Sequence, residues 1–182
     1  MEALPRDLRI VLTADQIQRR VRDVARQISS QYQGKNLTAV CVLDNGFMFM
    51  ADLVRALDIP VACKFVKPQL TERTEGPVTS TQIFYSPEID VRGQNVLLVE
   101  GLLQSGVTTE FLVRNLLGRG AESVKTAVLL DRQSQRRVFL QPDFFGFLVD
   151  ENYLVGYGLG NPETGRNLPY VAATDAPFPQ QR

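Results

Sequence analysis

The chain has 182 residues, 44% of them hydrophobic and 22% charged, which is typical of one globular domain with a substantial core and excludes a disordered or coiled-coil chain. Twenty basic residues balance twenty acidic ones, so the composition argues against nucleic acid or a membrane surface as a partner. Histidine is absent, which excludes Ser-His-Asp triads, Cys-His dyads and HExxH zinc sites. No apolar signal segment or membrane-spanning run is found, and Cys41 and Cys63 lie in apolar runs, so we expect a cytoplasmic protein with reduced, buried cysteines.

The first half of the chain alternates predicted helices and strands. Thr13 and Gln16 have the spacing of a capping box, and apolar residues then recur every three or four positions, which predicts a helix. The stretch 67–80 carries Pro, Gly and charges without a period, which predicts a long exposed loop. The order before that loop is a helix at 14–30, a strand at 37–43 ending at the Asp44-Asn45-Gly46 turn, a helix at 47–57 and a strand at 61–66.

The second half continues the alternation. Its predicted elements are a buried strand at 94–100, a turn at 101–106, a helix that ends at 118–120 and a strand at 124–130. Apolar strands that alternate with helices indicate a parallel sheet covered on both faces. The sequence therefore predicts a single domain over 1–182, in which 172–182 is expected to be a flexible tail.

The turns that follow the predicted strands are where a ligand should bind, because open parallel sheets bind ligands at the carboxyl ends of their strands. The stretch 105–109 lies between a buried strand and a helix N-terminus, where backbone N–H groups and small hydroxyls suit a phosphate. Ser, Gly and Thr are also favoured there for purely local capping reasons. Spacing alone favours neither interpretation.

A longer match carries a family resemblance. The segment VLLVEGLLQSGVTTEFLVRNLLGRGAESVKTAVLLDR, with LDNGFMFMADL before it and VGYGLGNPETGRNLPY after it, resembles the hypoxanthine-guanine phosphoribosyltransferases. The resemblance implies the type I phosphoribosyltransferase α/β fold, a mostly parallel twisted sheet flanked by helices, with a small hood built from the N- and C-terminal segments. It also implies transfer of ribose 5-phosphate from phosphoribosyl pyrophosphate (PRPP) to a purine base with Mg²⁺, releasing pyrophosphate.

The PRPP motif of that family is half kept and half changed. The family pattern is Glu-Asp-hydrophobic-hydrophobic-Asp-Thr-Gly-x-Thr, and Glu100 matches its first acid. Gly101 replaces the second acid, and Gln104 stands at the catalytic position of the Asp that handles the purine proton. An amide has no basic lone pair at neutral pH. The resemblance implies that the phosphate cradle is kept, namely Ser105, Gly106, Val107, Thr108 and Thr109.

The remaining site residues also follow from the resemblance. Gly160 replaces a metal-binding Asp, so Mg²⁺ is expected from the family but its binding is predicted to be weak, with Glu100 as the remaining ligand. A carboxylate at Asp44 is predicted to repel a polyanion, and the stretch 66–80 lacks the Ser-Tyr pair of the family lid. The pyrophosphate region would comprise Asp44, Asn45, Gly46 and Arg166, and the base would contact Arg132, Tyr153 and Leu154.

These features predict a protein that binds a purine nucleotide or a phosphoribosyl 5-phosphate and whose transfer reaction is impaired. Two alternatives stay open: an active purine phosphoribosyltransferase with an altered mechanism, and a non-catalytic oligomerising or regulatory homologue. The predicted partners are a purine base or nucleotide and PRPP or phosphate. The consecutive apolar residues 47–50 exceed what one core-facing helix stripe buries, which predicts a homodimer or homotetramer.

Overall fold

The computed structural model describes residues 8–75, 78–84, 89–160 and 164–175, and over 70–84 it describes only the backbone. Helices and strands alternate through most of this part of the chain. The helices are α1 (Ala14–Gln31), α2 (Phe47–Ala56) and α3 (Val107–Gly118). The strands are β1 (Arg9–Leu12), β2 (Leu37–Val42), β3 (Val61–Val66), β4 (Gln69–Glu75), β5 (Val78–Phe84), β6 (Asn95–Leu103), β7 (Ser123–Asp131), β8 (Phe144–Leu148), β9 (Tyr153–Val155) and β10 (Val171–Thr174).

The central layer is a five-stranded sheet in the order β3-β2-β6-β7-β8. All four strand pairs in it are parallel. Parallel strands need crossover connections, and α2 connects β2 to β3 while α3 connects β6 to β7, as the alternating pattern predicted; α1 precedes β2. The α/β fold expected from the sequence is therefore confirmed, and the carboxyl ends of β2, β3, β6 and β7 lie at one edge of the sheet.

Both faces of this sheet are buried. Ala39, Cys41 and Val99 point to the face that packs against α1 and α2. Val40 and Leu98 point to the opposite face, where they meet α3. Strands covered on two sides must be apolar at successive positions, which explains the nearly continuous apolar runs of β2 and β6.

A second, antiparallel sheet in the order β1-β10-β9 joins the N-terminal and C-terminal segments. Its central strand, β10, hydrogen-bonds on both sides and is buried along its length. The prediction of a flexible tail is therefore wrong for Ala172 to Thr174, because pairing on both sides fixes a strand whose sequence alone gives little signal. The rest of the predicted tail, 176–182, lies outside the described residues.

Three other local expectations are corrected. The stretch 67–80, predicted as a loop, contains β4 and the first part of β5, an antiparallel hairpin with Gln69 opposite Phe84, because cross-strand pairing outweighs the turn residues at its centre. β6 continues to Leu103, so the predicted turn begins three residues later than expected. Cys63 is exposed, since β3 is an edge strand, whereas Cys41 is buried.

Among the described residues, no helix is both long enough and apolar enough to cross a membrane.

Candidate functional site

The predicted phosphate cradle lies at the carboxyl end of β6, where the chain turns into α3. Gly106 is the N-cap of the helix and has φ +77, a left-handed conformation that favours glycine. The Ser105 hydroxyl accepts a long hydrogen bond of 3.4 Å from the N–H of Val107. The first N–H groups of a helix have no intrahelical acceptor, so this turn directs free donors outward.

Two threonines and one acid line the inner side of the cradle. Thr108 is half-buried, and Thr109 is buried beneath the first turn of α3. Thr109 hydrogen-bonds the side chain of Glu100, which lies on β6 and is 8% exposed. Burial raises the pKa of Glu100 to about 7, and the Thr109 hydrogen bond and the charge of Arg136 only partly oppose that rise.

One carboxylate oxygen of Glu100, Oε1, is buried and has no hydrogen-bond partner among the described residues. A buried acceptor without a donor costs about 1–3 kcal/mol. Oε1 of Glu100 can therefore still bind a proton, accept a hydrogen bond from a hydroxyl or contact a cation at the inner end of the cradle.

Gln104 lies on the outer side of the same turn. Its side chain is exposed and, with Ser105, lines a cavity of about 660 Å³. The amide stands at the position predicted for the proton acceptor, and it is exposed to the cavity rather than packed in the core.

A second group of predicted residues assembles where β2 ends. Arg166 approaches Asp44 at 3.7 Å and donates long hydrogen bonds of 3.4 Å to the Asn45 side chain and the Gly160 carbonyl. Gly46 is buried between this turn and α2, and its N–H donates to the Val42 carbonyl at 3.1 Å. The structure thus brings together the four residues predicted for pyrophosphate.

The charge of Asp44 is compensated by a residue that the sequence analysis did not single out. Lys67 Nζ donates to Asp44 Oδ2 at 2.9 Å, and this hydrogen bond is the main reason why the pKa of Asp44 is lowered. With Arg166 also nearby, two cations face one carboxylate. The expected repulsion of a polyanion by Asp44 is therefore offset locally.

The two glycines that stand where the family has acidic residues leave little room for a side chain. A Cβ on Gly101 would lie 2.2 Å from the carbonyl oxygen of Asn45, closer than any side chain can come without moving the backbone. Gly160 has φ +95, and a Cβ there would lie 3.1 Å from Val155 Cγ2. Neither position accepts a carboxylate without rearrangement of its surroundings.

Of the three residues predicted to contact a base, two are buried and one is exposed. Arg132 is 1% exposed, its guanidinium donates to the Glu151 carbonyl, and burial lowers its pKa. Leu154 is buried in β9, while Tyr153 is 38% exposed. In this arrangement Tyr153 is available to a ligand, and Arg132 would need to rotate away from Glu151.

Three residues that border the site, Lys67, Asp131 and Arg136, were not predicted from the sequence. Each follows or ends a strand whose carboxyl end borders the site: Lys67 comes directly after β3, and Asp131 is the last residue of β7. The rule that ligands bind at these ends could have found them, had it been applied to every strand.

Comparisons with known proteins agree with this fold. The model of the phosphoribosyl transferase domain family matches residues 10–160. The hypoxanthine-guanine phosphoribosyltransferase of Aquifex aeolicus is 38% identical over 167 residues, covering 90% of this chain and 93% of that protein. The solved hypoxanthine phosphoribosyltransferase of Staphylococcus aureus superimposes with a TM-score of 0.82 at 29% identity, covering 92% of this chain and 91% of that one.

A longer relative matches over one part only. The bifunctional protein TilS/HprT of Listeria innocua is 32% identical over 173 residues, which cover 93% of this chain but 26% of that protein. The chain therefore spans about a quarter of the length of this bifunctional relative.

Proposed function

The chain belongs to the hypoxanthine-guanine phosphoribosyltransferase family, and from that membership we propose that it binds a purine nucleotide or a phosphoribosyl 5-phosphate and that its transfer to a purine base is impaired. The observation that carries this proposal is the contrast within one turn. The cradle from Ser105 to Thr109 has helix N–H donors and half-buried hydroxyls at positions 105 and 108, whereas Gln104 next to it offers no basic group that could accept a proton.

The impairment follows from what the reaction needs. A purine nitrogen forms a bond to the ribose carbon that loses pyrophosphate, and the base gives up a proton in the process. In the family an Asp handles that proton, and Gln104 stands in its place. Loss of a general base costs roughly 10² to 10⁴ in rate.

Phosphate binding does not depend on the lost acids. The cradle works through backbone N–H groups at the start of α3 and through the hydroxyls of Ser105 and Thr108, and these groups are present. A helix N-terminus favours an anion because its N–H groups and its dipole both point toward the ligand. We therefore place the 5′-phosphate of the ligand at this turn.

The residues present do not fit a protein-held Mg²⁺ site. Gly101 and Gly160 contribute no side-chain oxygen, and Glu100 is buried with a raised pKa. Among the described residues, no cluster of three or more His, Cys, Asp or Glu side chains could hold a metal ion. Mg²⁺ is expected from the family, but we assign no step of this chain's chemistry to it.

A second candidate, an active enzyme with an altered mechanism, is favoured by the surroundings of Asp44. Lys67 and Arg166 give this turn an excess of positive charge, so a pyrophosphate group would be attracted there. Cleavage of PRPP in related enzymes is largely dissociative, and positioning of the reactants alone can supply part of the rate. Slow turnover is the outcome that this candidate predicts.

We also propose that the chain forms a homodimer or homotetramer. The apolar run 47–50, from which the sequence predicted an oligomer, gives this proposal little support, because Phe49 and Met50 are buried and Phe47 and Met48 are half-buried within the subunit. A different exposed apolar side chain supports the proposal. Phe65 on the edge strand β3 is 53% exposed, and it points to the face of the sheet that carries α1 and α2.

The test combines a binding screen with an activity assay. Ribose 5-phosphate and GMP at about 100 times their dissociation constants should each stabilise the fold by about 2.7 kcal/mol, which a thermal-shift measurement detects. IMP and GMP formation from PRPP, Mg²⁺ and the free base should be slow or absent. A lack of any thermal shift at millimolar ligand contradicts the proposed binding, and rapid product formation contradicts the proposed impairment.

A further inference from the structure

Asp44 and Lys67 meet at the edge of the sheet where β2 and β3 end. The two strands are parallel neighbours with Val42 opposite Val66, and the Leu43 N–H donates to the Val66 carbonyl at 2.8 Å. This pairing places the residues that follow the two strands side by side. Lys67 Nζ therefore reaches Asp44 Oδ2 at 2.9 Å, although the two residues are far apart in the sequence.

A second cation approaches the same carboxylate oxygen from the C-terminal part of the chain. Arg166 Nη1 lies 3.7 Å from Asp44 Oδ2. The hydrogen bonds that the Arg166 guanidinium donates to the Asn45 side chain and to the Gly160 carbonyl are 3.4 Å long, which is longer than a strong hydrogen bond. One oxygen of Asp44 thus faces both an ammonium and a guanidinium group, and the guanidinium is loosely held.

The three charged side chains are open to a ligand. Lys67 is 60% exposed, Asp44 is 37% exposed and Arg166 is 20% exposed. Carboxylates and phosphates both bind ammonium and guanidinium groups through charge-assisted hydrogen bonds. An anion that reaches this turn therefore competes with Asp44 for the same N–H groups. The hydrogen bond from Lys67 lowers the pKa of Asp44, so this competitor is charged at neutral pH.

We propose that Asp44 is a specificity-determining residue that disfavours ligands with a pyrophosphate group. Its carboxylate holds Lys67 and Arg166, so a pyrophosphate has to displace it before it binds the two cations. A nucleoside monophosphate held at the α3 N-terminus makes no such exchange. The site therefore favours the nucleotide over PRPP and pyrophosphate. This inference rests on the proposed function, in that the two cations face a ligand of the phosphoribosyl transfer reaction.

Asp44→Asn tests the inference because it removes the charge of the competitor and keeps its shape. Asp23→Asn is the matched control, since Asp23 lies on α1, pairs with Arg26 and is 45% exposed. Both substituted side chains are partly exposed, so the two variants should fold as the parent does. Isothermal titration calorimetry without added metal measures the affinity of each protein for pyrophosphate and for GMP.

We expect Asp44→Asn to bind pyrophosphate at least about fivefold more tightly than the parent does, because an exposed ion pair has to be broken in the parent and like charges repel there. Its affinity for GMP should stay close to that of the parent, and Asp23→Asn should match the parent with both ligands. Equal pyrophosphate affinity of Asp44→Asn and the parent overturns the inference, and so does an equal gain for GMP.

Failure of the proposed function gives a different result. A parent that binds neither GMP nor ribose 5-phosphate contradicts the proposed function, whatever its affinity for pyrophosphate. If GMP binds but pyrophosphate binds neither the parent nor Asp44→Asn at millimolar concentration, the inference about Asp44 is overturned and the proposed function stands.

Lys67→Met distinguishes displacement of a competitor from simple repulsion. Methionine removes the ammonium group, so Asp44 then holds one cation fewer. The gain from Asp44→Asn should therefore be smaller in the Lys67→Met background than in the parent, as a double-mutant cycle measures. If Asp44 only repels pyrophosphate, the gain is the same in both backgrounds, and that result overturns the inference.

Discussion

Restoring a carboxylate at position 104 should raise the rate of transfer. Gln104 is exposed and lines the cavity, so a substitution there should change stability by no more than about 0.5 kcal/mol. An aspartate provides the proton acceptor that the amide lacks. Since a general base contributes roughly 10² to 10⁴ in rate, and the other acids remain absent, we expect at least a roughly tenfold increase for Gln104→Asp.

The same acid at position 101 should damage the fold instead. A Cβ on Gly101 would meet the Asn45 backbone at 2.2 Å from its oxygen and 2.9 Å from its carbonyl carbon, so the turn itself must move. Overpacking costs about 1–3 kcal/mol, and an unpaired carboxylate in a buried position adds to that cost. We expect Gly101→Asp to lose at least about 2 kcal/mol, or about 4–8 °C in Tm for a domain of this size.

IMP and GMP formation with PRPP and Mg²⁺ compares the parent, Gln104→Asp and the isosteric control Gln104→Asn. The asparagine variant should stay as slow as the parent, because it has the size of aspartate without its basic oxygen. If Gln104→Asp is no faster than Gln104→Asn, the proton acceptor does not act from position 104. A parent that already turns over at about 1 to 10³ per second refutes the impairment, and a Gly101→Asp variant as stable as the parent refutes the packing argument.

Three further predictions concern protons, metal and assembly. Burial raises the pKa of Glu100 from 4.5 to about 7, so between these pH values the folded state binds more protons than the unfolded state and loses stability as the pH rises. From pH 4.5 to pH 8 the free energy of unfolding of the parent should therefore fall by on the order of 3 kcal/mol more than that of Glu100→Gln. Urea denaturation at the two pH values measures this difference, and an equal fall in both proteins contradicts the prediction. Calorimetry should find that Mg²⁺ changes PRPP affinity little, because Gly101 and Gly160 carry no ligand oxygen; a large gain would show that Glu100 suffices. Light scattering at micromolar concentration should show a dimer or tetramer that Phe65→Glu weakens, and a monomeric parent removes the proposal.

Much of the fold could be predicted from the sequence because its signals are local. The capping box of Thr13 and Gln16 is present as predicted, and α1 extends one residue beyond the predicted end. The apolar runs of β2, β3 and β7 also lie within one residue of their predicted bounds. Backbone preferences and the burial of successive apolar residues depend on residues only a few positions apart, so the local sequence is sufficient to predict these helices and strands.

The state of the site depended on contacts between distant parts of the chain. The sequence located Asp44 and Gly101, but only the structure pairs Asp44 with Lys67 and presses Gly101 against Asn45. Likewise, β10 is a strand because partners on both sides hydrogen-bond it. Which strands become neighbours in the sheet is decided by burial of the whole core, and this choice determines which charges meet and where a side chain has room.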